Sequence, residues 1–210
     1  MRSRSLEAYK KTLVFTKKQR DVLIGLLLGD GCLELLPKGD SARLRLEYTG
    51  KQKGYIDWLY AMFRRWVINP PKRKITKAFN KSFEKYWFTT VSSPILKKYF
   101  DLFYHDHRKI VPTAIDTLLT PIGLAIWFMD DGSTKSKESK GRILCTHAFS
   151  QQEVLLLCTV LKEKFFLEVK PRKQKDGTEI YISGHSLVQL KKTIGKYIVP
   201  SMRYKLSNYD

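Results

Sequence analysis

The sequence predicts a mixed α+β protein made of two copies of one αββαββα unit: helix, two strands, helix, two strands, helix. Two observations support this prediction. A short apolar stretch that ends in an acid and a glycine occurs twice, at residues 23–31 and 124–132. The segments that follow each stretch also come in the same order and at similar spacing. The chain is therefore expected to contain an internal repeat.

The spacing of matching residues supports the repeat. Asp30 and Asp131 lie 101 positions apart, and so do Thr49 and Ser150, each followed three residues later by Gln or Glu. Two Leu-Lys-Lys triplets farther along lie 94 positions apart, which indicates a shorter hairpin region in the second half. The predicted domains are a lead-in at residues 1–15, a first repeat at 16–114 and a second repeat at 115–210.

Each apolar stretch is predicted to be a helix. Thr16 with Gln19 fits a capping box, and Thr120 stands before Pro121, a proline at the first helical position. Because both helices are apolar on nearly all sides, each should be buried, and the simplest partner for one is the other. The paired helices would bring their terminal acids together.

The remaining elements of the first repeat follow from periodicity. Residues 43–49 alternate strictly, which indicates a half-buried strand with its leucines and tyrosine inward. Thr49 with Gln52 fits another capping box. The further predicted elements are a helix over 55–67, strands over 72–77 and 83–91 with a turn near Asn80, and a helix over 94–103.

The second repeat shows the same signals. Ser150 with Glu153 fits a capping box, and Asp176-Gly177 is a typical two-residue hairpin turn. The predicted elements are a strand over 143–149, a helix over 154–166, strands over 169–175 and 179–183, and a helix over 187–194.

The charge of the chain indicates a polyanionic partner. The chain holds 39 Lys and Arg against 20 Asp and Glu, a formal charge of +19, and such an excess destabilises a compact protein by self-repulsion. The basic residues are spread through strands and loops instead of one amphipathic helix, which favours nucleic acid over a membrane surface. Residues 22–28 are also far shorter than the ~20 apolar residues of a membrane span.

Asp30 and Asp131 stand where an acid is unfavourable. A carboxylate at a helix C-terminus lies at the negative end of the helix dipole, which costs roughly 0.3–1 kcal/mol, so another interaction must favour each acid. Two adjacent carboxylates with phosphate oxygens suit Mg²⁺. A single helix ending in Asp-Gly is more typical of a buried helix with a polar cap, but two copies at matching points of a repeat favour a metal site.

The two stretches resemble the paired motifs of the LAGLIDADG homing endonucleases in their single-chain form. The similarity rests on residues 66–71, 127–132 and 198–206 and extends over nearly the whole chain. Neither copy has the full motif: Leu28-Gly29 and Met129-Asp130 replace its acid and alanine, and only the final acid and glycine are kept in both. The resemblance implies two pseudo-symmetric halves that form a saddle of antiparallel sheets around a central two-helix seam.

The resemblance also implies a function. It predicts a monomeric, site-specific endonuclease that hydrolyses both strands of a long asymmetric DNA target with Mg²⁺. Mn²⁺ is expected to substitute, and Ca²⁺ to bind without supporting efficient cleavage. An organellar location, in a mitochondrion or chloroplast, is implied as well. Two alternatives are an RNA maturase that binds its host group I intron RNA and assists its splicing, and a catalytically silent DNA-binding protein, although retention of both acids argues against silence.

The predicted metal ligands lie at the motif ends. Asp30 and Asp131 are expected to bind metal and to be essential, and the resemblance adds backbone carbonyls near Gly29 and Asp130. The Asp130 side chain stands where the first repeat has Gly29, so a supporting role at the helix end is favoured over direct ligation.

Two lysines are added by the resemblance alone. Lys109 and Lys205 are expected to be catalytic, because an ammonium near the attacking water would stabilise negative charge at the phosphorus. The alternative is that each is solvated or clamps a phosphate, as most lysines of so basic a chain would. His105, Asp106 and His107 do not have a standard zinc spacing and are expected to cap a helix end beside DNA.

Outward positions on the basic strands are predicted to contact DNA. Arg pairs with guanine, Gln with adenine and Glu with cytosine in the major groove, while lysines mostly hold phosphates. A charged strand face that is merely solvated is the alternative. The predicted DNA-binding residues are Arg43, Arg45, Glu47, Arg73, Lys77, Lys85, Lys170, Arg172 and Gln174.

Overall fold

The computed structural model describes residues 4–78, 81–136 and 139–207. Over these residues it confirms the predicted mixed α+β architecture with antiparallel sheets. The predicted turn near Asn80 lies outside the described residues. Among the helices that are described, none is long and apolar enough to cross a membrane.

The chain divides into two compact units. The first comprises Met1–Arg20 and Gly31–Leu102, and the second comprises Asp21–Asp30 and Phe103–Asp210. The end of the first motif helix therefore belongs to the second unit, together with the whole second repeat. The repeat boundaries at residues 16–114 and 115–210 are based on the similarity of the two halves in sequence and not on contacts, and they stay a prediction.

The first unit contains a four-stranded antiparallel sheet in the order β1-β2-β4-β3. Its elements are α1 (Arg4–Lys11), the start of α2 (Lys17–Leu28), β1 (Cys32–Leu35), β2 (Ala42–Thr49), α3 (Lys53–Met62), β3 (Lys72–Ala78), β4 (Lys81–Thr89) and most of α4 (Pro94–Phe103). We call this sheet the first sheet. The alternation of β2 is confirmed, since Leu44, Leu46 and Tyr48 are buried while the residues between them are partly exposed.

The second unit contains a four-stranded antiparallel sheet in the order β7-β8-β10-β9, the second sheet, and a two-stranded hairpin. Its elements are the end of α2, β5 (Tyr104–His105), β6 (Arg108–Lys109), α5 (Ile115–Leu118), α6 (Pro121–Asp131), β7 (Gly132–Thr134), β8 (Arg142–Leu144), α7 (Gln151–Phe165), β9 (Val169–Gln174), β10 (Gly177–Ile182), α8 (Leu187–Ile194) and a closing 3₁₀ helix (Pro200–Lys205).

The two motif helices pack against each other, as predicted. Their contact runs through Gly25 of α2 and Gly123 of α6, because a Cβ atom at Gly25 would lie 2.3 Å from the Gly123 carbonyl oxygen. All of residues 22–28 and 123–130 are buried. The glycines let the backbones approach closely, so both helix ends reach the same place.

Three of the four predicted helix starts are confirmed. Thr16 and Gln19 exchange both bonds of the capping box, Ser150 does the same with Glu153, and Thr120 accepts the Gly123 N–H at 3.2 Å. The box predicted at Thr49 is wrong, since its side chain contacts the Gln52 side chain and caps no backbone N–H.

Some predicted boundaries also differ from the structure. The helix predicted over residues 55–67 ends at Met62 and continues as a 3₁₀ turn at Arg64–Trp66. The strand predicted over 143–149 is only β8. Periodicity extended both elements too far because buried side chains continue past the last regular hydrogen bond.

Candidate active site

The ends of α2 and α6 place three acids together in the second unit. We call Gly29 and Asp30 the first helix end, and Asp130 and Asp131 the second helix end. Asp30 follows the last turn of α2, Asp131 is the last residue of α6, and Asp130 is 8% exposed. Asp30 is exposed and Asp131 is partly exposed, so both can meet a ligand from solvent.

The two helix ends interlock through Asp130. Its Oδ2 accepts a hydrogen bond from the Asp30 backbone N–H at 3.0 Å. A Cβ atom at Gly29 would lie 2.5 Å from the same oxygen and 2.6 Å from the Asp130 Cβ. Glycine at position 29 therefore makes room for the carboxylate of position 130, which holds the backbone of Asp30.

Each helix end has its own ammonium group. Lys109 Nζ donates to the Gly29 carbonyl oxygen at 2.7 Å. Lys205 Nζ donates to the carbonyl oxygens of Met129 and of Asp130, the latter at 2.8 Å. Cations satisfy the unpaired carbonyls of a helix C-terminus and interact favourably with its dipole. The structure thus brings together the two acids indicated by the repeat and the two lysines indicated by the family resemblance.

The electrostatics of the site disfavour two ionised carboxylates in the absence of a cation. Burial and the charge of Asp30 raise the pKa of Asp131 to about 7, against the opposing effect of Lys109 and Lys205. Protein packed around the Asp30 carboxylate raises its pKa too, although the residue has an exposed side and both lysines act in the opposite direction. Burial lowers the pKa of Lys205. A bound cation would relieve the repulsion between the acids.

No cluster of three or more His, Cys, Asp or Glu side chains able to hold a metal ion occurs in the described part of the chain. Any metal at Asp30 and Asp131 must therefore take further ligands from backbone carbonyls, water or a bound molecule. The backbone oxygens of Gly29 and Asp130 already accept ammonium protons, which makes the two carboxylates the strongest available ligands.

The first sheet gathers part of the predicted DNA-binding set on one face. Glu47 lies at the centre of this face, with Lys74 Nζ at 2.6 Å, Lys85 Nζ at 3.1 Å and Arg45 at 3.3 Å from its carboxylate. Burial alone would raise the pKa of Glu47, but the three cations outweigh it and lower the pKa to about 2. Arg43 shares the face and pairs with Glu34 at 2.7 Å.

Arg73 and Lys77 do not belong to that face. Residues paired directly across an antiparallel ladder lie on the same side of a sheet, and Arg73 pairs with Tyr86 whereas Lys74 pairs with Lys85. The side chain of Arg73 forms an ion pair with Glu84 on the opposite face. The predicted set of the first sheet is therefore divided between two faces.

The second sheet keeps its three predicted residues together. Lys170, Arg172 and Gln174 alternate along β9 on one face, where Arg172 pairs with Glu179 at 3.2 Å and Gln174 donates to the same carboxylate at 3.1 Å. Lys170 lies over the ring of Tyr181, with its Nζ 5.8 Å from the centroid.

Sequence reasoning missed an aromatic residue at the matching place on each sheet. Trp87 of β4 lies beneath the cations of Arg45 and Lys72, at 5.4 and 5.7 Å. Tyr181 of β10 lies 94 positions later, the same shift as the Leu-Lys-Lys triplets, and lies beneath Lys135 as well as Lys170. The shared shift of 94 positions is the sequence signal that could have identified both aromatic residues.

The expectation that His105, Asp106 and His107 cap a helix end is wrong. They lie in and beside the turn between β5 and β6, where Asp106 and His107 take positive φ angles of 48° and 60°. The turn is compatible with a tight type I′ hairpin. It positions Lys109, which is the last residue of β6.

The profile of the LAGLIDADG DNA endonuclease family matches residues 20–190. The chain is 31% identical to "Probable intron-encoded endonuclease 1" of Wickerhamomyces canadensis, over 97% of this chain and 90% of that protein. It is 32% identical to "Cytochrome b mRNA maturase bI2" of Debaryomyces hansenii, over 92% and 75% respectively.

A solved structure is similar along the whole chain. The homing endonuclease I-WcaI bound to its DNA recognition sequence matches with a TM-score of 0.94 and 28% identity, covering 100% of this chain and 95% of that one. The protein therefore belongs to the LAGLIDADG DNA endonuclease family. The family that the two apolar stretches suggested is confirmed.

Proposed function

We propose that this protein is a homing endonuclease that cuts both strands of a specific, long and asymmetric DNA site. The observation that carries the proposal is the meeting of Asp30 and Asp131 at two adjoining helix ends, each with its own lysine. One chain supplies both acids, so a monomer suffices. The two sheets differ in sequence at matching positions, which supports an asymmetric target.

The donor set fits Mg²⁺. Asp30 and Asp131 offer carboxylate oxygens, and the remaining positions can be taken by water and by DNA phosphate oxygens. When bound, the cation would neutralise charge on the scissile phosphate and lower the pKa of a nearby water. We include Mn²⁺ as a substitute and expect Ca²⁺ to support binding without efficient cleavage.

The residues of the site have separable roles in this proposal. Asp30 and Asp131 hold the cation, while Asp130 orients the Asp30 backbone and does not need to bind metal itself. Lys109 and Lys205 neutralise the carbonyl-rich helix ends and present ammonium groups where negative charge develops on the phosphate.

The faces centred on Glu47 and Glu179 are our proposed DNA-contacting surfaces. Both combine cations with an aromatic ring. Their acids form ion pairs that hold the basic side chains in fixed, extended conformations in the absence of DNA. Arg73 and Lys77 would contact DNA only from the other face of the first sheet.

The proposal is tested by a cleavage screen on a randomised duplex library, with Mg²⁺ and then with Ca²⁺. We expect Mg²⁺-dependent cutting of one sequence class, and no cutting by Asp131→Asn. Asp57→Asn is the matched control, because Asp57 is an exposed acid on α3 in the first unit, whereas both acids of the site belong to the second unit. Sequence-specific binding without cleavage by the unaltered protein would reject the nuclease.

A maturase is the second candidate function, because one relative is named for maturation of cytochrome b mRNA. An organellar origin of the gene is supported by the same name. Splicing of the host intron with and without the protein distinguishes the two activities, since Asp131→Asn should abolish cleavage and leave assisted splicing intact.

A further inference from the structure

An arginine lies buried in the second sheet. Arg142 is the first residue of β8 and is 1% exposed. It pairs across the sheet with Ile182, which is 1% exposed, so its side chain lies on the covered face. Arginine is seldom fully buried unless its donors are satisfied.

The guanidinium group of Arg142 joins two distant segments through main-chain carbonyls. Nη1 donates to Lys140 and Gly141 at 2.9 and 3.2 Å. Nη2 donates to Leu206 at 3.3 Å and Ser207 at 3.1 Å, which are 64 and 65 residues away in the chain. The planar fork of arginine suits such bridging, and lysine cannot reproduce it.

The segment held by Arg142 carries one of the two lysines of the site. Lys205 is the last residue of the closing 3₁₀ helix, and Leu206 follows it directly. Its Nζ donates to the carbonyls of Met129 and Asp130 at the end of α6. A change in the position of Leu206 and Ser207 would therefore move the Lys205 backbone.

The backbone of Lys109 is held in a different way, by the β5–β6 hairpin. It pairs with Tyr104 in the β5–β6 hairpin, and the next residue, Ile110, donates its N–H to Phe103 at 2.8 Å. The hairpin thus fixes the backbone of Lys109 on both sides. The Lys205 backbone has local 3₁₀ bonds, and Arg142 supplies a long-range anchor at the two residues immediately after it.

We propose that Arg142 is a positioning residue for cleavage: it fixes the C-terminal segment so that Lys205 lies against the second helix end. Its loss affects the DNA strand whose cutting depends on Lys205 and spares the strand that depends on Lys109. The proposal rests on the proposed nuclease function for its effect on cleavage, but not for its effect on the segment.

The first experiment needs no DNA. Hydrogen exchange of the Leu206 and Ser207 amides, which donate to the Arg203 carbonyl, is compared in the unaltered protein and in Arg142→Lys. We expect exchange at these two amides to be about tenfold faster in the variant, while α6 and the second sheet keep their protection. Unchanged exchange at both amides would overturn the proposal, whatever the nuclease activity.

The second experiment resolves the two strands. The target recovered from the duplex screen is placed in a supercoiled plasmid and labelled on one strand at a time. Lys205→Met and Lys109→Met identify the strand that each lysine serves. Arg142→Lys and Arg142→Met should slow the Lys205-dependent strand by about 10-fold or more and the other strand by less than about threefold, so that nicked plasmid accumulates.

Two further variants make the result specific. Adding Arg142→Lys to Lys205→Met should cause little additional loss, because both changes remove the same interaction. Arg64→Met is the matched control, since Arg64 also donates to a main-chain carbonyl, that of Val67 at 3.2 Å, but lies in the first unit; it should show no strand bias.

Equal slowing of both strands, or additive losses in the double variant, would overturn the proposal. If Arg142→Met does not fold, as judged by circular dichroism, Arg142→Lys decides the outcome because it keeps the charge. If the unaltered protein cuts no DNA, the proposed function fails, while hydrogen exchange still decides whether Arg142 anchors the segment.

Discussion

The first and second helix ends occupy matching places in the repeat and are built differently. Gly29 matches Asp130 and Asp30 matches Asp131, each 101 positions apart. At the first end a hairpin residue, Lys109, meets the carbonyl of Gly29. At the second end Lys205, from the end of a 3₁₀ helix, meets two carbonyls. The first residue of the first helix end is glycine, whereas the first residue of the second helix end, Asp130, has a carboxylate side chain.

This difference has a steric reason. Side chains at both 29 and 130 would place atoms 2.5–2.6 Å apart, and glycine at both would remove the acceptor of the Asp30 N–H. The space between the two ends holds one side chain. Two repeated helices that pack this closely therefore need different residues at their point of contact, even though the next residue is aspartate in both.

The largest expected effect comes from removing either terminal acid. Asp30→Asn and Asp131→Asn should each lower the cleavage rate by about 10³-fold or more, because a metal ligand contributes several kcal/mol of charge stabilisation. Single-turnover cleavage with Mg²⁺ measures the rate, and binding with Ca²⁺ should be kept. A variant that still cuts both strands within about tenfold of the unaltered rate would show that the two ends do not share the reaction.

Substitutions at positions 29 and 130 should test whether the space between the two helix ends holds only one side chain. Gly29→Ala should lower the free energy of unfolding by about 1–3 kcal/mol, because its Cβ meets Asp130. The cost of Gly29→Ala should be at least halved when it is introduced into Asp130→Gly, which removes the side chain that the new Cβ meets, as measured by urea denaturation. Losses that simply add in the double variant would contradict the shared space.

The raised pKa of Asp131 should make the stability of the protein depend on pH. In the metal-free protein the pKa of Asp131 is raised from 3.8 to about 7. Between these values the folded protein keeps a proton that the unfolded chain has lost, so the free energy of unfolding should fall as pH rises from about 4 to about 7 and level off above. Denaturation across this range should show a weaker fall in Asp131→Asn.

The matched control for this dependence is again Asp57→Asn, whose exposed acid lies on α3. It should leave the slope unchanged. An Asp131→Asn variant that keeps the full slope of the unaltered protein would contradict the assignment to Asp131.

The smallest expected effect concerns the second pair of matching positions, Thr49 and Ser150. Ser150→Ala should lower the free energy of unfolding by about 1 kcal/mol, because Ser150 caps α7 through a complete capping box. Thr49→Ala should change it by less than about 0.5 kcal/mol, since Thr49 caps no backbone N–H. Chemical denaturation of both variants compares them directly, and equal losses would mean that Thr49 caps its helix in solution.

Much of the fold could be predicted because its signals are local. The limits of α4 and α8 agree with the predicted helices, and the predicted hairpin formed, although its two turn residues are Lys175 and Asp176 while Gly177 already pairs with Gln174 in the sheet. The Thr49 box failed because the same residue pattern can instead form a side-chain contact. The hairpin around Asp106 was missed because neither of its turn residues is glycine, and each strand has only two residues.

The meeting of Asp30 and Asp131 could be predicted from the sequence, and the contacts that surround them could not. Periodicity and the repeated Asp-Gly ends were sufficient to select both acids, since helix burial and the helix dipole act over a few residues. Three features depend on atoms brought together from distant parts of the chain. Asp130 occupies the space above Gly29, Arg73 faces away from Arg45, and Arg142 holds the carbonyls beyond Lys205. Such contacts follow from packing and strand register, which arise only when the elements are assembled.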